Sequence, residues 1–320
     1  MKNKCNLFWI YSLVTVFTSL GSEYHVDAQC AMSAPEGLVS WWTADQTAND
    51  LMGVNNGTLE NGVTYILGEV NYAFSFDGTD QYVLINSTGS LTGAFTVELW
   101  AMPMNQTNSL EMFGSRDPGE FSYDLSFSGT YIHSDIGDGG SWITTSADVT
   151  YPYVVGNWYH IAETVTTTNY VIYVNGSAIG SGSFFMDTPV LYDPNHQMTI
   201  GYNNRYDVDY MNGPIDDVRI YNRALSANEI QGIYLAGTNG MCAPTPLMFT
   251  SPPICNSQTN VILKASLRSG QNYLIEANTN LLSTNWITIT NLTAGTTPIT
   301  VFTNVQLSKI PKQFYRIVSP

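Results

Sequence analysis

Charged residues are scarce in this chain, and basic residues are the scarcest. Of the 320 residues only 12% are charged, and 11 Lys and Arg residues stand against 26 Asp and Glu residues, which gives a formal net charge of −15. The Lys and Arg residues form no cluster along the chain. The field of the protein itself therefore disfavours binding to nucleic acid or to anionic lipid.

Several common sequence motifs of catalysis are also missing. The chain has no His/Cys spacing typical of a metal site and no Gly-rich phosphate loop after a predicted strand. It also has no Gly-x-Ser-x-Gly elbow, which would expose a nucleophilic serine. No class of enzyme is thus indicated by a short motif.

The N-terminal residues have the layout of a secretory signal peptide. Lys2 and Lys4 precede an apolar run over 7–20, and the small-residue site Val26-Asp27-Ala28 follows. We predict cleavage after this site, so residues 1–28 form the signal peptide and the mature protein is secreted, extracellular or in the cell envelope. A retained N-terminal anchor is the alternative. No later segment is long enough to cross a membrane, and we expect no span in the mature chain.

Apolar and turn-forming residues are abundant. Hydrophobic residues make up 44% of the chain, which is enough for buried cores at this length. Gly, Asn, Thr, Ser and Tyr are frequent, a balance typical of short strands joined by polar turns. Residues 95–102 alternate between two faces as a strand does, and Asn175-Gly176 is a strong hairpin signal. Composition and pattern together predict an all-β protein.

The segment 213–234 combines a strand with a short helix. Its β-branched and aromatic residues over 215–221 predict a strand. The run Ser226-Ala-Asn-Glu229 then has the form of a capping box. Apolar residues on one face over 230–234 predict a short helix that stops at Gly237.

This ending and five further motifs resemble the laminin-G-like jelly-roll domains of the concanavalin A-like lectin and glucanase superfamily. The five motifs, in the order of the family, are Phe76-Asp77-Gly78, the alternating strand over 95–102, Gly156-Asn-Trp-Tyr-His160, Ile172-Tyr-Val-Asn-Gly176 and Ile200-Gly201. The resemblance covers about residues 36–240. It implies a concanavalin A-like jelly-roll β-sandwich, which we place at residues 36–241.

The remaining C-terminal residues predict a second and smaller β domain. Prolines over 245–253 indicate an extended linker, which we place at residues 242–256. Short strands separated by turn residues follow, so residues 257–320 are expected to form a small, fibronectin-III-like β-sandwich. This part looks like a C-terminal module of secreted bacterial proteins, and the sequence assigns it no function.

The resemblance also implies a disulfide bond. The first and last strands of a jelly roll tend to lie side by side, so Cys30 and Cys242 would join the two ends of the domain in an oxidising compartment. A bridge between Cys242 and Cys255 is the alternative. Either pairing leaves one odd thiol in the mature chain.

The same resemblance raises the question of catalysis. Glucanases of this superfamily carry two carboxylates on one strand, spaced Glu-x-Asp-x-x-Glu, because a retaining mechanism needs them about 5 Å apart. This chain lacks that spacing, since Glu98 has Trp100 and Pro103 at the matching positions. The scattered histidines are expected to have structural or surface roles. We therefore predict that the protein is not an enzyme.

Calcium is the cofactor that the sequence favours. Ca²⁺ takes about six to eight oxygen ligands from carboxylates, amides and carbonyls. Asp50, in a polar loop, and Asp216, in the closing strand, are the first choice, with Asp77 and Asp80 as weaker contributors. The first and last strands should be neighbours, so this loop and strand can meet, and the resemblance supports a cation there. The alternative is that these residues only form turns.

Aromatic residues in polar loops predict a sugar-binding surface. Sugars stack their apolar faces on Tyr or Trp beside polar side chains, and the loops 135–142 and 203–210 supply Trp142, Tyr206 and Tyr210. With the resemblance, they predict an extracellular glycan as the partner, bound with or without calcium. A cell-envelope protein bound in a structural or adhesive role is the first alternative. A glycoside hydrolase is the second.

Overall fold

The structure, a computed structural model, consists of β-strands, one α-helix and one 3₁₀ turn in the part of the chain that it describes. Contacts divide the chain into two compact units, of which one spans Ala28–Ala243 and the other includes Pro244–Pro320. The described residues are 31–87, 89–106, 109–115, 121–203, 209–242, 248–249, 254–255, 261–266, 272–278, 287–293, 299–304 and 314–318.

The first unit, called the lectin-like unit below, is built from short strands followed by a helix. In chain order the elements are β1 Met32–Ser33, β2 Leu38–Trp42, β3 Gly57–Glu60, β4 Thr64–Leu67, β5 Tyr72–Asp77, β6 Tyr82–Ile85, β7 Leu91–Thr92, β8 Phe95–Ala101, β9 Ser109–Gly114, β10 Tyr123–Ser128, β11 Tyr131–Gly137, β12 Trp142–Thr144, β13 Val149–Thr150, β14 Tyr159–Val165, β15 Asn169–Val174, β16 Ser177–Ser183, β17 Val190–Tyr192, β18 Met198–Ile200, β19 Asn212–Tyr221, α1 Ala227–Ala236, the 3₁₀ turn Gly237–Asn239 and β20 Met241–Cys242.

Two large sheets form the body of this unit. Sheet I has the strand order β16-β15-β14-β8-β19-β5-β4, and β2 also pairs with β19. Sheet II has the order β12-β11-β10-β9-β18-β6-β3, and β13 also pairs with β11. The pairing of β2 with β19 is antiparallel and places the opening and closing strands side by side. The all-β, concanavalin A-like β-sandwich predicted from the sequence is confirmed.

One apolar core is shared by the two sheets. Alternate residues of β8, among them Val97 and Leu99, belong to the same buried cluster as Leu125 and Phe127 of β10. The strand alternation expected for β8 is therefore confirmed. The residues between them face away from this core, and in β8 they are buried too, because the helix side of sheet I is covered.

Helix α1 covers the outer face of sheet I, and its start follows the predicted capping box. The Ser226 hydroxyl accepts a hydrogen bond from the Glu229 amide, and the Glu229 carboxylate accepts one from the Ser226 amide. Ile230 and Ile233 are buried in a second apolar cluster with residues of sheet I, and Gly237 ends the helix. No helix in the described ranges has the length and apolar character needed to cross a membrane.

The two ends of the lectin-like unit are paired with one another. β1 and β20 run parallel, with Met32 opposite Met241 and Ser33 opposite Cys242. Cys30 lies outside the described residues, so the Cys30–Cys242 bridge stays a prediction, as does the signal peptide over 1–28.

The described strands of the second unit form two small sheets. Its strands are β21 Met248–Phe249, β22 Ile254–Cys255, β23 Val261–Ser266, β24 Asn272–Asn278, β25 Ile287–Thr293, β26 Ile299–Asn304 and β27 Phe314–Val318. One sheet joins β21, β22 and β26 to β23, and the other has the order β25-β24-β27. The predicted linker 242–256 thus contributes β21 and β22, since proline is tolerated beside short edge strands. The fibronectin-III-like assignment stays a prediction.

Candidate ligand-binding site

Polar side chains cover the face of sheet II that points away from the core. Leu125 and Phe127 belong to the core, so strand alternation sends Asp124 and Ser126 of β10 to the opposite face. β9 and β11 flank β10 and add their own polar residues on this face. Together they form a pocket of about 420 Å³, called the acidic pocket below, which is lined by Ser109, Glu111, Asp124, Ser126, His133, Asp135, Trp142, Thr145, Asn203 and Asp209.

Two carboxyl groups at the floor of the acidic pocket share one amide. The Asn203 side-chain nitrogen donates to Asp124 Oδ2 at 3.1 Å and to Glu111 Oε2 at 3.4 Å. The Leu125 amide donates to Glu111 Oε1 at 3.2 Å. Burial, and then the negative charge of Asp124, raise the pKa of Glu111 well above its ordinary value. Burial and the neighbouring Asp124 charge thus both favour the protonated form of Glu111.

His133 stands among three carboxylates. Its Nδ1 lies 2.6 Å from Asp148 Oδ1, whereas its Nε2 lies 3.6 Å from Asp135 Oδ1 and 3.8 Å from Asp124 Oδ1. Burial lowers the pKa of His133, but Asp124, the hydrogen bond to Asp148 and Asp135 outweigh it, and the net shift is upward. The imidazole is thus held in one orientation, with Nε2 directed at two carboxylate oxygens.

The structure places Trp142 in the acidic pocket but not the two predicted tyrosines. Trp142 begins β12, where Asp138 turns the chain by accepting from the Gly140 amide at 2.7 Å, and it packs edge-on against Phe121 with ring centroids 5.2 Å apart. Tyr210 stacks on Tyr202, with centroids 4.4 Å apart, and is not part of the pocket lining. Tyr206 lies outside the described residues, so its assignment stays a prediction.

The acidic floor has no direct signature in the sequence. Glu111, Asp124 and Asp135 come from three neighbouring strands, whereas the glucanase carboxylate spacing lies along one strand. The available signal was the alternation of polar with apolar residues in Ser-Leu-Glu-Met and Tyr-Asp-Leu-Ser, which is typical of a half-buried strand. Only the strand register shows that these polar positions are adjacent.

The carboxylate of Asp50, the first residue predicted to bind calcium, accepts four hydrogen bonds from backbone amides. Oδ1 accepts hydrogen bonds from the amides of Trp41 and Met52, at 2.8 and 2.9 Å. Oδ2 accepts from the amides of Val54 and Asn55, at 3.2 and 3.0 Å. Asp50 therefore fits the alternative role of a buried loop former, and calcium binding by its carboxylate stays a prediction.

Asp216, the second residue predicted to bind calcium, has one oxygen to spare. Oδ2 accepts from the Val70 amide at 2.8 Å, while the buried Oδ1 accepts no hydrogen bond from the described residues. Burial, and then the negative charge of Asp217, raise the pKa of Asp216 to about 9. Asp45 adds a further negative charge nearby. This carboxylate fits a cation ligand, because a cation would supply the missing partner.

Asp216 and Asp217 do not lie on opposite faces as strand alternation predicts. Ile215 and Val218 both belong to the core although they are three residues apart. The register slips between Asp216 and Arg219, and Asp217 has a φ of 53°, so the strand bulges at this pair. Asp217 then turns to Trp41, whose indole N–H donates to Oδ1 at 2.6 Å.

The other two predicted calcium residues lie in one exposed turn. Asp77 Oδ1 accepts from the Thr79 amide at 2.8 Å, and the Asp80 carbonyl accepts from the Asn61 side chain at 2.7 Å. In the described ranges, one group of three or more acidic or histidine side chains has ligand atoms within 4.8 Å of one another, namely Asp124, His133 and Asp135. None of the four predicted residues is in that group, and a calcium site at them stays a prediction.

Residues 77–231 match the laminin G family model described as the concanavalin A-like lectin/glucanases superfamily. The matched range is a little under half of the chain and lies within the lectin-like unit. The match supports the jelly-roll domain predicted from the sequence. A comparison with curated proteins gives no match.

Solved structures are similar to this chain in fold. The ligand-binding domain of botulinum neurotoxin serotype D, in complex with N-acetylneuraminic acid, is 15% identical, with a TM-score of 0.50 over 78% of this chain and 76% of that chain. Domain 4 of AbnA, a GH43 arabinanase from Geobacillus stearothermophilus in complex with arabinotriose, is 23% identical, with a TM-score of 0.48 over 61% of this chain and 96% of that one. A Trypanosoma rangeli sialidase is 15% identical, with a TM-score of 0.48 over 63% of this chain and 33% of the sialidase.

Proposed function

We propose that this is a secreted, non-catalytic carbohydrate-binding protein whose glycan site is the acidic pocket. The observation that carries the proposal is an open pocket of about 420 Å³ on the solvent side of sheet II, with Trp142 beside hydrogen-bonding side chains. This volume is typical of small-ligand sites. The jelly-roll domain supported by the laminin G family model over residues 77–231 is consistent with it.

The chemistry of the lining suits a polyhydroxylated ligand. Carboxylate oxygens of the lining, such as those of the half-buried Asp209, can accept hydrogen bonds from sugar hydroxyls, and charge-assisted bonds of this kind are the stronger ones. The serine hydroxyls of Ser109 and Ser126 can donate as well as accept. The Trp142 ring offers an apolar surface for the C–H face of a sugar. The negative pocket selects neutral or cationic sugars over anionic ones.

The first experiment is a glycan array with an insoluble-polysaccharide pull-down of the purified chain. Trp142→Ala should weaken binding about tenfold or more, because a central aromatic contact is lost. Phe185→Ala is the matched control, since Phe185 is 97% exposed in the loop after β16 and outside the pocket lining. If Trp142→Ala binds glycan as tightly as the wild type, the glycan site is not at Trp142 in the acidic pocket. No binding to any glycan would favour the cell-envelope protein partner instead.

We also propose calcium as a cofactor, bound at Asp216 rather than at Asp50. Asp216 Oδ1, on β19 of sheet I, and the carboxylate of Asp45 offer hard oxygens of the kind that Ca²⁺ prefers. This site is a separate feature from the acidic pocket, which lies on sheet II. Bound Ca²⁺ would stabilise the closing strand, β19. Calorimetric titration with Ca²⁺ tests it directly.

Glycoside hydrolysis is the second candidate function, because Glu111 and Asp124 share the Asn203 amide. The raised pKa of Glu111 beside the carboxylate of Asp124 matches the pair of a general acid and a second carboxylate that retaining hydrolysis uses. Both side chains are only 1% exposed, which favours binding over attack on a substrate. Incubation of each bound polysaccharide, followed by assay of new reducing ends, separates the two. Release that is lost in Glu111→Gln would establish hydrolysis.

A further inference from the structure

We propose that Asp124, His133 and Asp135 form a binding site for a divalent transition-metal ion of the zinc type. The three residues lie on the adjacent strands β10 and β11, where Asp124 is opposite Asp135 in the register and His133 is two residues before Asp135. Their ligand atoms lie within 4.8 Å of one another on the pocket face. This site requires no sugar, and so it goes beyond the proposed glycan binding.

The distances from His133 Nε2 to the two carboxylate oxygens fit ligands around an ion, and Asp124 Oδ1 also accepts a hydrogen bond from the Asp135 amide at 2.9 Å. Nε2 lies 3.6 Å from Asp135 Oδ1 and 3.8 Å from Asp124 Oδ1, both beyond hydrogen-bond distance. Zinc holds nitrogen and carboxylate oxygen at about 2.1 Å, which sets tetrahedral ligand atoms about 3.4 Å apart. The two distances from Nε2 exceed that spacing by only about 0.2 and 0.4 Å.

Asp148 supplies an independent feature of a metal-binding histidine. Its Oδ1 lies 2.6 Å from His133 Nδ1, and a carboxylate can only accept, so Nδ1 carries the proton. In a neutral imidazole this leaves the lone pair on Nε2, directed at the two Asp oxygens. A carboxylate that fixes the tautomer and orientation of a ligating histidine is the usual outer-shell partner in zinc sites.

The donor set also selects the class of metal. Calcium and magnesium favour oxygen ligands alone, whereas imidazole suits zinc and other first-row transition metals. Three protein ligands leave at least one position facing the acidic pocket, the arrangement of an open zinc site. The described lining holds four carboxylates and one histidine, and a divalent cation would offset that negative charge.

Zinc titration of the purified, metal-stripped chain without a histidine tag tests the proposal. Calorimetry should show one Zn²⁺ per chain, with binding lost in His133→Ala. Asp148→Asn should weaken Zn²⁺ affinity about 10- to 100-fold, because the outer-shell partner is weakened while the three ligands remain. Asp148 is exposed, so this variant keeps the test valid even if His133→Ala does not fold.

Asp193→Asn provides the matched control. Asp193 Oδ1 also lies 2.6 Å from a histidine Nδ1, that of His196, but His196 belongs to no group of three ligands in the described ranges. Zinc affinity should therefore be unchanged in this variant. No binding up to millimolar Zn²⁺, or equal binding by His133→Ala or Asp148→Asn and the wild type, would overturn the proposal. Because no glycan enters the titration, its failure leaves the glycan experiment untouched.

Discussion

Arg219 and Glu98 form an ion pair that is almost completely buried between sheet I and helix α1. The guanidinium NH1 lies 3.1 Å from Glu98 Oε1, and the two side chains are 1% and 0% exposed. Although burial opposes ionisation of Glu98, the charge of Arg219 and the hydrogen bond from His160 lower its pKa. Glu98, the strand carboxylate compared above with the glucanase spacing, thus forms a buried ion pair within sheet I.

Removal of the Arg219 charge should destabilise the lectin-like unit strongly. Arg219→Met would leave Glu98 and Asp217 buried without their cation, at a cost of about 3–5 kcal/mol in the free energy of unfolding. Arg223→Met is the control, because the Arg223–Glu229 pair is about one third exposed, at 35% and 31%, and should cost about 1 kcal/mol. Urea unfolding monitored by tryptophan fluorescence measures both. Equal losses in the two variants would contradict the role of burial.

The capping box of α1 should contribute measurably to stability. Ser226→Ala removes the acceptor for the Glu229 amide and should lower the free energy of unfolding by about 1 kcal/mol. Ser226→Asp keeps a good capping oxygen and should retain most of that stability. The same urea transitions report both changes. A loss in Ser226→Asp as large as in Ser226→Ala would show that capping is not the cause.

A buried acid in the core should make the protein less stable as the pH rises. Burial raises the pKa of Glu163 to about 7 from an ordinary value of 4.5, and Tyr123 donates to its Oε2 at 2.8 Å. The folded protein keeps this proton between about pH 4.5 and 7 while the unfolded chain releases it. Stability should therefore fall by up to ~3 kcal/mol across that window.

Glu163→Gln isolates this contribution, because glutamine is neutral at every pH and can still accept from Tyr123. Unfolding at pH 5 and at pH 7.5 should show a smaller difference in this variant than in the wild type. Part of the slope should remain, since Glu111 also has a raised pKa. Glu36→Gln, at an exposed position, is the control. An unchanged slope in Glu163→Gln would refute the assignment.

Calcium should stabilise the protein through Asp216 and not through Asp50. At about 100 times its Kd, Ca²⁺ should add about 2.7 kcal/mol and raise the Tm. Asp216→Asn should lose this response, because its amide is a weaker ligand. Asp50→Asn should lower the Tm through its four backbone hydrogen bonds and still respond to Ca²⁺. If Asp50→Asn alone loses the rise in Tm with Ca²⁺, the calcium site is in the Asp50 loop and not at Asp216.

Local patterns alone specified much of the fold. The alternation over β8, the turn residues Asn175-Gly176 and the capping box at Ser226 each depend on neighbours in sequence, and all three appear where predicted. Trp142 was predicted to contact a ligand because it is an aromatic residue in a polar loop, and it lines the acidic pocket. The strand that carries Asp216 and Asp217 was predicted, but the β-bulge at these two residues was not.

The candidate site depended on strand register, which sequence spacing does not determine. Asp124 and Asp135 lie eleven residues apart and face one another only because β10 pairs with β11 at that register. Glu111 and Asn203, from distant parts of the chain, reach the same floor through β9 and the segment after β18. Sequence determined which residues alternate and which caps form, because those are short-range effects. Tertiary structure decided which carboxylates lie side by side and which accept hydrogen bonds from the backbone, because both depend on how strands distant in sequence pair.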